Sequence, residues 1–152
     1  MSNHYRIVRI DSITPEIFAA FSRLLPQLSS SAPPLTYDYL SRVISSPHNY
    51  VFVAEASADS DILGTLTLTT APTITGVRAH IEDVVVDSAA RGRGVGSALI
   101  MEAVRIANSH ELRAMSVDLT SRPERVEANQ LYQKLGFQKR GTNVYRYVGL
   151  DS

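Results

Sequence analysis

The chain has 152 residues, 44% hydrophobic and 20% charged, with 15 Lys+Arg balanced by 15 Asp+Glu and no cysteine. Zero formal charge gives no bulk attraction to nucleic acid or to an anionic membrane. The missing thiols exclude disulfides, thiolate metal sites and a cysteine nucleophile, and the length is that of one domain, 1–152, able to bury a substantial core.

Met1 to Asp11 mixes His4, Arg6, Arg9 and Asp11 among apolar residues. It reads as neither a signal peptide nor a membrane span, so cytoplasm is the default location. Within it, Tyr5 to Ile10 reads as a first strand. Thr14-Pro15-Glu16 then opens a helix with a hydroxyl cap, a proline in the first turn and an early acid. Ile17, Phe18, Phe21, Leu24, Leu25 and Leu28 give this helix an apolar face, and Pro26 with the Ser29 to Pro34 stretch is expected to end it. A second short helix is predicted from Thr36 to about Ser45, stopping before Pro47.

Tyr50 to Glu55 and Ile62 to Thr70 read as two strands of a hairpin around Ala58-Asp59-Ser60-Asp61. Alternation in the second points Leu66 and Leu68 one way and Thr65, Thr67 and Thr69 the other. After a turn at Thr73 to Gly76 comes the strand Val77 to Val86, then a helix from Gly96 to about Ser109 and a strand from Met115 to Leu119. Ser121-Arg122-Pro123-Glu124 matches a capping box for a helix reaching Leu135, with Gly136 as its C′ residue. Phe137 to Arg140 and Asn143 to Val148 finish as two strands. The expected fold class is α/β (α+β), a mixed, mostly antiparallel central sheet with helices on both faces, in the order βααββββαβαββ.

The densest chemical signal is Arg91-Gly92-Arg93-Gly94-Val95-Gly96, which joins an apolar strand to a helix. Glycines at alternate positions let successive backbone N–H groups turn toward one point, and the helix N-terminus adds partial positive charge. The expected guest is a pyrophosphate. A plain strand-to-helix turn has no use for two interleaved arginines. No Lys-Ser or Lys-Thr follows the last glycine, so a P-loop is excluded. A dinucleotide fold would use Asp118 as its ribose ligand, but it places its glycine loop after the first strand and needs a second half downstream.

Arg91-x-x-Gly94-x-Gly96 after a Val-Val-Val strand, followed by Ala128-Asn129-Gln130-Leu131-Tyr132-Gln133-Lys134-Leu135-Gly136-Phe137, resembles the GNAT superfamily of acyl-CoA-dependent N-acetyltransferases. The resemblance covers Ile81 to Phe137. It implies a GNAT-like sheet, acetyl-CoA as the acyl-donor cosubstrate, and a pyrophosphate loop made by Arg91, Gly92, Arg93, Gly94, Val95, Gly96 and Ser97. It also implies that strands splay near the thioester, where the backbone of Val84, Val85 and Val86 would hold pantetheine and carbonyl. Tyr132 occupies the position of the family's tyrosine near the coenzyme sulfur, so the resemblance implies a general acid; the plain alternative is a core tyrosine. Many members carry an asparagine seven residues before that tyrosine. Here the position is Arg125, and Asn129 is the asparagine near enough to be a coenzyme contact.

Glu82 and Asp83 precede the loop on one strand, where neighbours face opposite ways unless a bulge re-aims one. His80 and Glu82 share a parity, which makes Glu82 the candidate for acceptor binding or amine deprotonation. The segment His80 to Val86 is also similar to the same strand in glucosamine-phosphate N-acetyltransferases. The four histidines show no metal spacing, so no metal is expected. The implied partner is a small-molecule or peptide amine, with no nucleic acid and no membrane, and with a homodimer left open. The resulting expectation is N-acetyl transfer by direct attack in a ternary complex. A non-catalytic acyl-CoA-binding module on the same fold is the alternative, and a nucleotide-binding domain a third.

Overall fold

The computed structural model describes residues 4–151. Two compact units divide the chain, Met1–Thr120 and Ser121–Ser152. The first contains β1 (Tyr5–Ile10), α1 (Pro15–Leu28), α2 (Tyr37–Ser45), β2 (Asn49–Ala56), β3 (Ile62–Thr73), β4 (Gly76–Val86), a 3-10 turn (Ser88–Ala90), α3 (Val95–Ala107) and β5 (Ser116–Asp118). The second contains α4 (Val126–Lys134).

The five strands form one sheet in chain order, with β1 to β4 antiparallel and β5 parallel to β4. The mixed, mostly antiparallel sheet is as expected. Between α2 and α3 there are three strands, one fewer than the expected order held, because β3 and β4 run unbroken and fold back only at Thr73 to Gly76.

Strand alternation sorts the core into two layers. Val51 packs with Leu40 and Ile44 of α2, and Val53 packs with Ala20 and Leu24 of α1. The period of two turns Phe52 and Ala54 to the opposite face, alongside Leu66, the partner of Phe52, and Leu68, the partner of Tyr50. There α3 packs on β2, β3 and β4, burying Leu99, Ile100, Ala103 and Ala107. The expected parity of Leu66 and Leu68 against the threonines holds. Thr65, buried on the other side, donates its hydroxyl to the Phe52 carbonyl at 2.8 Å. Gly64 permits the close packing where β3, β4 and α3 meet: a Cβ there would lie 2.8 Å from the Val85 carbonyl oxygen and 3.4 Å from Val95 Cγ1.

Local chemistry starts both early helices. Thr14 Oγ1 accepts from the Ile17 N–H and Thr36 Oγ1 accepts from the Tyr39 N–H, each at 3.2 Å. Pro26 does not end α1. It sits within the last turn, and the helix stops at Leu28, where the Ser29 N–H donates to the Leu25 carbonyl.

In the second unit, the expected capping box is not used. Residues from Arg122 form a turn closed by the Arg125 N–H on the Arg122 carbonyl, so α4 starts at Val126 without a side-chain cap, and Ser121 Oγ is buried with no partner. The far end behaves as the sequence suggests. Gly136 has φ +107, its N–H donates to the Gln133 carbonyl, and the Phe137 N–H donates to the Tyr132 carbonyl. That pair of bonds is a Schellman motif, with Tyr132 and Phe137 as its hydrophobic contact, ring centroids 6.3 Å apart. The two strands expected at Phe137 to Arg140 and Asn143 to Val148 are not formed. Strand residues need a ladder and a buried face to set their register, and Val144, Tyr145, Tyr147 and Val148 are each at least three-quarters exposed.

Candidate active site

The register between β3 and β4 slips by one residue just before the glycine loop. Thr65 opposes Val85 and Thr67 opposes Glu82, so Asp83 and Val84 together face Leu66. Asp83 takes φ +53, in the left-handed region. This is a β-bulge, and it inverts the side-chain parity of the strand. Ile81, opposite Leu68, lies on the α3 face, whereas Val85 packs with Ala20, Leu24 and Val53 on the α1 face. Glu82 and His80, opposite Thr67 and Thr69, share the face of α1 and α2, as their parity predicts. Both carboxylates on this strand, Glu82 and Asp83, are exposed.

The other edge of β4 opens at the same level. Its ladder with β5 pairs Arg78 with Ser116, Ala79 with Val117 and His80 with Asp118, and ends there. From Ile81 to Val86 that edge has no strand partner among the described residues. Backbone groups aimed sideways from this segment are therefore available to an extended ligand. The side chain of Val85 is core, while Val84 and Val86 are partly buried.

Beyond β4 the chain passes through the glycine loop into α3. Gly92 has φ +80 and Gly94 has φ +77, with Arg91 between them and the strand at φ −68. A Cβ at Gly92 would meet nothing within 4 Å, so glycine serves the backbone angle there and keeps the surface clear. Gly94 caps α3 without a side-chain hydrogen bond, leaving the N–H groups at the start of the helix, Val95, Gly96 and Ser97, without side-chain acceptors. Arg91 and Arg93 are exposed, and neither has an ion-pair partner among the described residues. N–H groups at a helix N-terminus beside two guanidinium groups that lie outside any ion pair among the described residues suit an oxyanion.

Side chains from α1 hold the entrance of this loop, a role that sequence reading missed. Asp87 accepts from the Ala89 N–H at 3.1 Å and from Arg23 Nε at 3.0 Å. Arg23 also donates to the Ile62 carbonyl at 2.7 Å, and Gln27 Oε1 accepts from the Ser88 N–H at 2.9 Å. The Ala89 N–H does most to hold the Asp87 carboxyl below its ordinary value of 3.8. Partial desolvation works against this, and Arg23 and Gln27 reinforce it. The aspartate after a strand and before a serine was a visible signal for the turn, but nothing in the sequence named its partners.

In the second unit, Tyr132 and Asn129 both lie on α4 and are partly buried. Asn129 donates one Nδ2 hydrogen to the Arg122 carbonyl at 3.0 Å, which ties its amide to the turn before the helix and leaves its second N–H and Oδ1 for other partners.

Residues 14–137 match the model of the Acetyltransferase (GNAT) family. Over 72 residues the chain is 38% identical to a probable glucosamine 6-phosphate N-acetyltransferase 2 from Oryza sativa subsp. japonica, covering 47% of this chain and 40% of that protein. Over 80 residues it is 40% identical to a glucosamine 6-phosphate N-acetyltransferase from Trypanosoma brucei brucei, covering 51% of each. The matches thus span about half or less of these relatives. Among solved structures, an aminoglycoside acetyltransferase from an uncultured soil metagenomic sample, in complex with trehalose, superposes with a TM-score of 0.83 at 20% identity, covering 99% of both chains. That likeness concerns the fold. With the bulged fourth strand, the open edge beside it and the family model extending over most of the sequence, the chain belongs to the GNAT family of acetyltransferases.

Proposed function

We propose that this protein transfers an acetyl group from acetyl-CoA to a primary amine by direct attack in a ternary complex. The observation that carries the reading is the continuity on β4: a bulge at Asp83, an unpaired edge from Ile81 to Val86, and the uncapped start of α3 after Gly94 follow one another along the chain. An extended thioester with a pyrophosphate part-way along it needs these features in that order.

Arg91, Gly92, Arg93, Gly94, Val95, Gly96 and Ser97 hold the pyrophosphate in this reading, through backbone N–H groups and guanidinium charge. The backbone of Val84 to Val86 runs along the pantetheine arm, and Asn129 is the coenzyme contact that the family resemblance implies. Glu82 attracts the acceptor ammonium and takes its proton, directly or through water. The freed lone pair attacks the thioester carbonyl carbon. A C–N bond forms, the C–S bond breaks, and the coenzyme leaves as a thiolate that Tyr132 protonates. The second proton of the attacking nitrogen passes through water to the phenolate, which restores Tyr132 and leaves the neutral amide. With no cysteine in the chain, the acyl group has no thiol to rest on and passes straight to the amine.

The acceptor is a small-molecule or peptide amine. Glucosamine 6-phosphate heads the candidates because of the two matched relatives, and aminoglycosides follow from the fold neighbour. Among the described residues no helix is long and apolar enough to cross a membrane, and a cytoplasmic place of action fits a chain without cysteine. The test is release of free coenzyme A thiol from acetyl-CoA against a panel of amino sugars, aminoglycosides, polyamines, amino acids and peptides. Amine-dependent release supports the reading. Saturable acetyl-CoA binding with no release from any amine overturns it in favour of a non-catalytic acyl-CoA-binding module.

A further inference from the structure

The first strand reaches the glycine loop through one side chain. Tyr5 opens β1 and is tied into the sheet opposite Ala56 of β2. Its hydroxyl donates to the Arg93 carbonyl oxygen at 3.2 Å. The Arg93 guanidinium carbon lies 6.0 Å from the centroid of its ring, and a Cβ on Gly94 would come 3.7 Å from the same hydroxyl. One tyrosine thus touches the centre of the loop by a hydrogen bond, a cation–π contact and proximity to the residue that starts α3.

A trans peptide is planar, with its C=O and N–H pointing in opposite directions. Anchoring the Arg93 oxygen on Tyr5 therefore aims the Gly94 N–H away from the Tyr5 hydroxyl. Gly94, at φ +77 and without a Cβ, imposes little steric resistance to rotation of that peptide plane. A rotated plane would turn a carbonyl oxygen, not an N–H, toward an incoming phosphate. The entrance of the loop is held separately by Asp87, Arg23 and Gln27, which do not reach this peptide.

We propose that Tyr5 is a positioning residue for the acyl donor: its hydroxyl holds the Arg93–Gly94 peptide with the N–H presented to the pyrophosphate. The inference rests on reading the loop as the acetyl-CoA site. Tyr5→Phe removes the hydroxyl and keeps the ring beneath Arg93. Calorimetric titration with coenzyme A is expected to show affinity weakened about three- to tenfold, the scale of one hydrogen bond. In steady-state assays the KM for acetyl-CoA should rise by a similar factor, well beyond any fall in kcat, while the KM for the amine moves less than twofold. Dephospho-coenzyme A keeps the pyrophosphate and lacks the 3′-phosphate, so its affinity should fall by the same factor.

Unchanged coenzyme A affinity in Tyr5→Phe, alongside loss of binding in Arg91→Glu, overturns the role of Tyr5 and leaves the functional reading standing. A loss seen with coenzyme A but absent with dephospho-coenzyme A overturns it as well. A wild-type protein that binds no coenzyme A removes the functional reading itself. Amide exchange on the wild type gives a check that needs no variant: coenzyme A should protect the Gly94 N–H, and an unprotected Gly94 refutes the proposal.

Discussion

Ile81 and Val85 stand four residues apart on one strand, yet their side chains are buried on opposite faces of the sheet. Regular alternation would put them on the same face. The inversion comes from the extra residue at Asp83 and Val84, where Asp83 adopts φ +53. Aspartate tolerates that region better than most residues, whereas a β-branched side chain does not. Asp83→Val is therefore expected to destabilise the fold by roughly 1–2 kcal/mol, while Asp83→Gly stays close to wild type. Chemical denaturation of the three proteins checks this, and equal stabilities would show that the bulge is not strained.

Glu82 is the carboxylate that the bulge leaves on the α1 and α2 face, beside His80 and opposite Thr67. Glu82→Gln keeps the shape and removes the charge. The expected result is a raised KM for the amine or a lower kcat at neutral pH, with coenzyme A affinity nearly unchanged. If Glu82→Gln matches wild type and Asp83→Asn loses activity, the acceptor lies on the side to which the bulge turns Asp83.

Tyr132 takes part in the Schellman ending of α4 through its backbone and its ring, not through its hydroxyl. Tyr132→Phe should preserve the helix end and the contact with Phe137. Loss of a general acid is expected to lower turnover about a hundredfold or more, with little change in coenzyme A affinity. Turnover equal to wild type, in an assay where chemistry limits the rate, assigns the tyrosine to packing alone.

Asp87 couples the loop entrance to pH. Its carboxyl lies below the ordinary value of 3.8 when folded, so the unfolded chain takes up this proton first as pH falls. The stabilisation is therefore fully present above the unfolded value and disappears as pH drops through the lower folded value. Thermal melts from pH 6 to pH 2 should show wild type and Asp87→Asn converging at the acid end and diverging above it. A constant offset across that range would mean that the Asp87 charge does not contribute.

What the sequence determined by itself was whatever acts over a few residues. Thr14 and Thr36 cap their helices, Gly136 ends α4 in the left-handed region, and Gly92 and Gly94 supply positive φ before α3, because each is a local matter of dihedral preference and nearby hydrogen bonds. The facing of Leu66 and Leu68 was legible for the same reason, since alternation is built into a strand. Only the tertiary structure decided the bulge at Asp83, the end of the β4–β5 ladder at His80 and Asp118, and the contacts of Tyr5 with Arg93 and Arg23 with Asp87, residues 88 and 64 positions apart. Those depend on how far one strand can pair before packing pulls it away, and on which side chains the sheet brings beside the loop. The same dependence explains why Asn143 to Val148 alternates like a strand and forms none: alternation states a preference, and a ladder partner is needed to satisfy it.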